Sequence, residues 1–188
     1  MADFNFLEKI AVRIKENRTK LAQLEESLAY VNTEIHEIPL KRNTESTFAK
    51  IIGVGYDDRI DELKKSKDNL ENQIKNLSDA VTSDMSSFIS EITSPDLVIP
   101  LEPNPNLKEG KTIYKYRDGA KFNNIFDVLS ELLGLSAPLV VKDVMLSSTE
   151  ITIATREEFE AKQKFISAMN EIQKTLLIKK SPKPYDLV

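Results

Sequence analysis

The sequence predicts an α+β protein: a long antiparallel helical hairpin, coiled-coil-like, followed by a small β-α-β-β-α domain. Three observations carry that prediction. A heptad stripe runs from Leu7 to Ile38, and a matching stripe runs from Ile60 to Ile92. Beyond a proline-rich break, the apolar pattern alternates between the short period of strands and the longer period of helices.

In the first stripe Leu7, Ile14, Leu21, Leu28 and Ile35 recur every seven residues. Ile10, Leu24, Val31 and Ile38 fill the second apolar position of the repeat, where Asn17 is the single exception. Charged residues such as Glu16, Arg18, Lys20, Glu25, Glu26 and Glu34 lie between them. A seam of this kind keeps one helix face against a partner helix over its whole length. Pro39, which lacks an N–H and crowds the preceding turn, is expected to stop the helix after roughly 48 Å.

A second helix is expected from Asp57, with Ile60, Leu63, Leu70, Ile74, Leu77 and Val81 in its stripe and Lys67 interrupting. Near Asp84 the stripe steps by one residue and continues as Met85, Phe88 and Ile92. Asp57, Asp58, Asp61 and Glu62 suit the positive end of the helix dipole, and Ser94-Pro95 is expected to end the helix. Folded back antiparallel, the stripes set Leu7 near Phe88, Ile14 near Val81 and Ile35 near Ile60, and a four-helix homodimer is the natural extension.

The expected domain organisation is a hairpin over 1–93 with its tip at 39–56, a linker over 94–111, an α+β domain over 112–178 and a tail over 179–188. Pro95, Pro100, Pro103 and Pro105 mark the linker. Strands are expected at Thr112 to Tyr116, Leu139 to Leu146 and Glu150 to Ala154, the last two as a hairpin. Asn123 to Leu133 reads as a helix closed by Gly134. Thr155 and Glu158 form a capping box for a final helix to about Leu177, with Phe159, Phe165, Ile166, Met169, Ile172 and Leu176 on its apolar face.

The chain has 188 residues, a net charge of −4, one histidine, five glycines and neither cysteine nor tryptophan. Without cysteine there is no disulfide framework, thiolate zinc site or thiol nucleophile. The N-terminus lacks the basic and apolar regions of a secretory signal, and no apolar run approaches the roughly 20 residues of a membrane span, so a soluble cytoplasmic protein is expected. The acidic excess lies in residues 57–93, with nine acidic and five basic groups, whereas the other segments balance. No basic field for bulk attraction to nucleic acid results.

The candidate chemistry is sparse. His36, beside a seam residue, has no catalytic partners on its face. Gly53-Val54-Gly55 is followed by Tyr56-Asp57-Asp58, whose carboxylates oppose phosphate binding, so it reads as a hinge. Asp58, Asp61 and Glu62 lack a second cluster to complete a cation shell, and Glu157, Glu158 and Glu160 likewise read as dipole capping. No catalytic, cofactor or metal residues are therefore expected.

Three groups remain as contact candidates. Phe48, Ile51, Ile52, Val54 and Tyr56 form an apolar tip that either docks a partner or caps the end of the hairpin. Asn17 and Lys67, polar residues in apolar seams, either set register or sit in a loosened, partly exposed section. Lys108, Lys111, Lys115, Arg117 and Lys121 surround Tyr114 and Tyr116, a pattern able to track a nucleic-acid backbone, and Lys174, Lys179, Lys180 and Lys183 add a second basic stretch. The tail Tyr185-Asp186-Leu187-Val188 reads as a frayed terminus.

In outline, a helical hairpin followed by a small α+β unit is similar to phage nuclease inhibitors of the Mu Gam type and to kinetochore-like adaptors; this outline implies no residue roles. The expected function is a non-enzymatic protein–protein interaction module, an adaptor, inhibitor or accessory subunit, that needs no cofactor. It self-associates, as a dimer, or docks through its hairpin. The alternative is a nucleic-acid-associated protein using the basic strand 108–121 and the C-terminal lysines.

Overall fold

In a computed structural model, the described residues are 3–44, 56–94, 96–97, 99–104, 112–134, 139–141, 144–147, 150–153 and 158–180. Two long helices, α1 (Phe4–Thr44) and α2 (Tyr56–Ile92), come first. They are followed by strands β1 (Leu101–Pro103) and β2 (Thr112–Tyr116), helix α3 (Gly119–Leu133), strands β3 (Leu139–Val141), β4 (Val144–Leu146) and β5 (Glu150–Ile153), and helix α4 (Glu158–Lys180). The fold is α+β, as the two periodicities predict.

The long helices pack as an antiparallel hairpin. Arg59 Nη2 lies 3.3 Å from Glu34 Oε2, and the Arg13 guanidinium meets the Asp84 carboxylate. Both pairs fall within one helical turn of the register that places Leu7 by Phe88 and Ile35 by Ile60.

Helix α1 does not stop at Pro39 but continues through it to Thr44. A proline forbids one ladder bond, not the helical φ angle, which its ring in fact favours. Pro39 is exposed, so water can satisfy the carbonyl one turn earlier.

All five strands are antiparallel and lie in the order β1-β2-β5-β4-β3. The run from Leu139 to Leu146, expected as one strand, is two, paired as a hairpin with Val141 opposite Val144. One strand of eight would have put Asp143 on the same face as Leu139 and Val141. Pairing β3 with β4 instead aligns Leu139, Val141, Val144 and Leu146 on the core face. Helix α3 begins at Gly119 rather than Asn123. Tyr116, at the end of β2, stacks on Phe122 with ring centroids 3.4 Å apart and planes 11° apart, which fixes the first helical turn. Its C-terminus is as expected: Gly134 takes the left-handed conformation, φ 66°, and its N–H caps the Glu131 carbonyl.

The expected boundaries at 93 and 111 do not match the compact units. One unit comprises residues 1–15 together with 84–188; the other is 16–83. In the first, Phe4, Leu7, Ile10, Ala11 and Ile14 of α1 and Phe88 and Ile92 of α2 share one core with Tyr114, Tyr116, Val144, Leu146 and Ile151 of the sheet, and with α3 and α4. Leu7, Ile14 and Phe88 are 0% exposed. The expected linker contributes too: Leu97, Ile99 and Leu101 pack against this core, and 101–103 is an edge strand. Pro103 is tolerated there because its missing N–H would point away from β2.

The second unit contains the rest of the hairpin. Val31 and Leu63 are buried, while Leu21, Leu24, Leu28, Ile35, Leu70, Ile74 and Leu77 are only half-buried. Two helices alone cannot cover a heptad stripe on all sides.

A fragment of residues 94–188, the small domain that linear reading would isolate, lacks seven of these core side chains. It is expected to give a collapsed, poorly dispersed amide spectrum, whereas the full chain gives a dispersed one. A well-dispersed spectrum from the fragment would contradict the shared core.

Candidate functional site

The described part of the sheet presents two unlike faces. Strand alternation sends Tyr114, Tyr116, Leu146 and Ile151 into the core and turns Glu102, Lys115, Glu150, Thr152, Met145 and Val140 to the other side. On that outer face Lys115 Nζ lies 3.1 Å from Glu102 Oε1, and the Asn104 side-chain amide donates to Glu150 Oε1 at 2.8 Å. Met145 and Val140, directly opposite each other, are 40% and 67% exposed.

These pairings change the meaning of the basic cluster. Lys115 is matched by Glu102, and Lys121 Nζ lies 3.0 Å from Asp118 Oδ2, whose hydrogen bond raises the ammonium pKa above its ordinary value. Arg117 is exposed, and among the described residues its guanidinium has no carboxylate partner. Lys108 and Lys111 lie outside the described residues. The described members are not brought together: Lys115 stands on the outer face of the sheet, whereas Lys121 sits on α3 and donates to Asn5 Oδ1 of α1 at 3.3 Å, and both are neutralised locally.

The tip candidates Phe48, Ile51, Ile52 and Val54 also lie outside the described residues, and Tyr56 is the first residue of α2. Asn17 is half-buried on α1. Lys67 is half-buried on α2, with Nζ 3.7 Å from Glu71 Oε1 one turn along. The hairpin register sets them at different levels, so they are not brought together. His36 is exposed. Arg59 and Lys64 lie 3.6 Å from Glu62 and Asp61 respectively, so the acidic start of α2 is laced into its own helix. No group of three or more acidic or histidine side chains suited to a metal occurs among the described residues.

Two polar features escaped the sequence reading. Asp84 is 8% exposed and occupies the seam position where the stripe of α2 steps. Arg13 Nε and Nη2 donate to its two carboxylate oxygens at 2.7 and 2.5 Å. That bonding, against a smaller desolvation cost, raises the arginine pKa further above its ordinary value. The step in the stripe was the available signal, since an apolar seam broken by a carboxylate calls for a facing cation. The second feature is Tyr116, whose hydroxyl is buried without a hydrogen-bond partner among the described residues; burial pushes its pKa far up and keeps the phenol neutral.

Apolar grooves occur in both units among the described residues. In unit 16–83 an open groove of about 660 Å³ lies between α1 and α2, floored by Leu24 and Leu77 and rimmed by Lys20, Gln23, Gln73 and Asn76. In the α+β unit a groove of about 420 Å³ separates Leu97, Ile99 and Leu101 from Phe165 and Ile166 of α4. No helix among the described residues is long and apolar enough to cross a membrane.

Compared with protein-family models, with characterised proteins and with solved structures, the chain has no significant match.

The Arg13–Asp84 pair predicts a non-additive mutant cycle. Arg13→Leu leaves a buried carboxylate unpaired and is expected to cost about 2 kcal/mol of stability in urea unfolding. Adding Asp84→Leu restores the seam and should bring stability back to within about 1 kcal/mol of the parent. Losses that simply add would show that the pair is not what holds this level of the hairpin.

Proposed function

We propose that this protein is a non-enzymatic interaction module that self-associates through the hairpin of residues 16–83, its α+β unit offering a second contact surface. The half-burial of the seam leucines carries this reading. Seven apolar side chains of the stripe keep water contact in a single chain, and Leu24 and Leu77 floor an open groove between the helices. A second hairpin laid across that groove would complete a four-helix arrangement, the usual way such a stripe is buried. The polar rim of amides and one lysine suits an interface whose centre is apolar and whose edge stays wet. Adaptor, inhibitor and accessory-subunit roles all use such a module.

Light scattering of the full chain at tens of micromolar is expected to give the mass of a dimer. Leu24→Glu with Leu77→Glu should reduce it to a monomer while helical circular dichroism is retained, because neither side chain is fully buried in one chain. A parent protein that stays monomeric across this range would sink the proposal.

A second reading rests on two exposed cations, Lys115 in β2 and Arg117 just past its end, as a short nucleic-acid contact. Retention on DNA that falls with salt, with a log–log slope reduced by about 2 in Lys115→Glu with Arg117→Glu, would support it. Absence of retention at low salt would remove it.

A further inference from the structure

Strand β1 is an edge of the sheet and, among the described residues, pairs only with β2. Two backbone bonds fix which of its residues face inward. Arg117 N–H donates to the Pro100 carbonyl, and Asn104 N–H donates to the Ile113 carbonyl, both at 2.9 Å. In an antiparallel ladder this phase makes Pro100, Glu102 and Asn104 the residues bonded to β2. Leu101 and Pro103 therefore turn their backbone groups to the open side. Leu101 offers an N–H and a C=O there, and Pro103 a C=O only.

Along the same segment runs the groove of about 420 Å³ between Leu97, Ile99, Leu101 and α4, and Arg117 lines it. A further hollow of about 220 Å³ shares Leu97, Ile99, Phe165 and Ile166 and extends the groove along α4. Ile166 stands 52% exposed on the wall. An apolar trough thus lies between an unpaired strand edge and a helix, and the single cation on its lining has no ion-pair partner among the described residues.

We propose that this trough docks an extended peptide segment with apolar side chains at alternate positions and a carboxylate that pairs with Arg117. A peptide entering as a strand can exchange two main-chain bonds with Leu101, while every second side chain enters the trough. Pro103 removes the next donor, so pairing cannot propagate and the edge favours a short partner over open-ended sheet growth. Charge selects an acidic segment over a basic one. The inference deepens the second contact surface of the proposed function but does not depend on self-association through the hairpin.

The test is titration of isotope-labelled full-length protein with acetyl-Glu-Thr-Val-Thr-Val-amide, whose Glu shares the trough-facing side with both valines, its Lys-for-Glu counterpart, and a single-stranded oligothymidylate. Saturable shifts of the Leu101 amide are expected with the acidic peptide, which should bind about fivefold more tightly than the basic one, as a half-exposed ion pair allows. Arg117→Glu should invert that preference, and Ile166→Glu, at an exposed position that the fold tolerates, should weaken both peptides. No Leu101 shift at millimolar peptide, or equal affinity for the two peptides, would overturn the proposal. So would Leu101 shifts driven by protein concentration alone, which assign the edge to a second copy, or shifts at Arg117 from the oligonucleotide and not the peptide. The Leu24→Glu and Leu77→Glu variant separates the two proposals: peptide binding there should match the parent whether or not the parent dimerises.

Discussion

The sheet has one face that must be kept from water, and the rest of the α+β unit is arranged around covering it. Strands of three to five residues present Tyr114, Tyr116, Val144, Leu146 and Ile151 to that side. Helices α3 and α4 bring Phe122, Ile125, Val128, Leu129, Phe165, Ala168 and Ile172, and the core is completed by the beginning of α1 and the end of α2. Fully burying a side chain such as Leu7 or Phe88 is worth roughly 1.5–3 kcal/mol, so the six large side chains that the two long helices contribute are comparable with the whole stability of an ordinary domain. Secondary ties follow the same line: Lys15 reaches Asp127 at 2.6 Å, and the Gln173 amide holds the Thr93 carbonyl at 2.6 Å.

Polar groups enter this apolar framework in two different ways. Asp84 is satisfied bidentately by Arg13, so the break in the seam becomes a directional contact that only one register of the helices allows. Along residues 16–83 the seam lacks comparable cover. Its tie across the helices is the more exposed Arg59–Glu34 contact, with Tyr30 donating to Glu34 at 3.0 Å, and surface contacts of this kind contribute little. Apolar area left in contact with water favours association in general, and the proposed self-association through the hairpin rests on that term.

The β1 edge shows how local chemistry shapes what a surface can do. Pro103, the last residue of the edge strand, has no N–H, so within β1 only Leu101 turns both backbone groups outward, and Arg117 adds a charge where β2 ends. An unprotected edge of greater length would invite aggregation; this one is short and interrupted.

How much of this was legible in the sequence divides along physical lines. Both helical stripes, their antiparallel register, the glycine cap at Gly134 and the strand Thr112–Tyr116 follow from periodicity and local backbone preference, which neighbouring residues set among themselves. The contact candidates were legible only as residue types. Local charge could not reveal that Lys115 would meet Glu102 across a strand pair or that Arg117 would be left over. The strand formed within the proline-rich stretch and the reversal between Val141 and Val144 were decided by tertiary packing, because each depends on which face the core requires; the helix passes Pro39 because that residue is exposed and water can serve the carbonyl left without a donor. The same holds for the largest difference, the joining of 1–15 with 84–188. A heptad stripe shows that a helix has an apolar face; only the folded chain decides whether that face meets another helix, a sheet, or water.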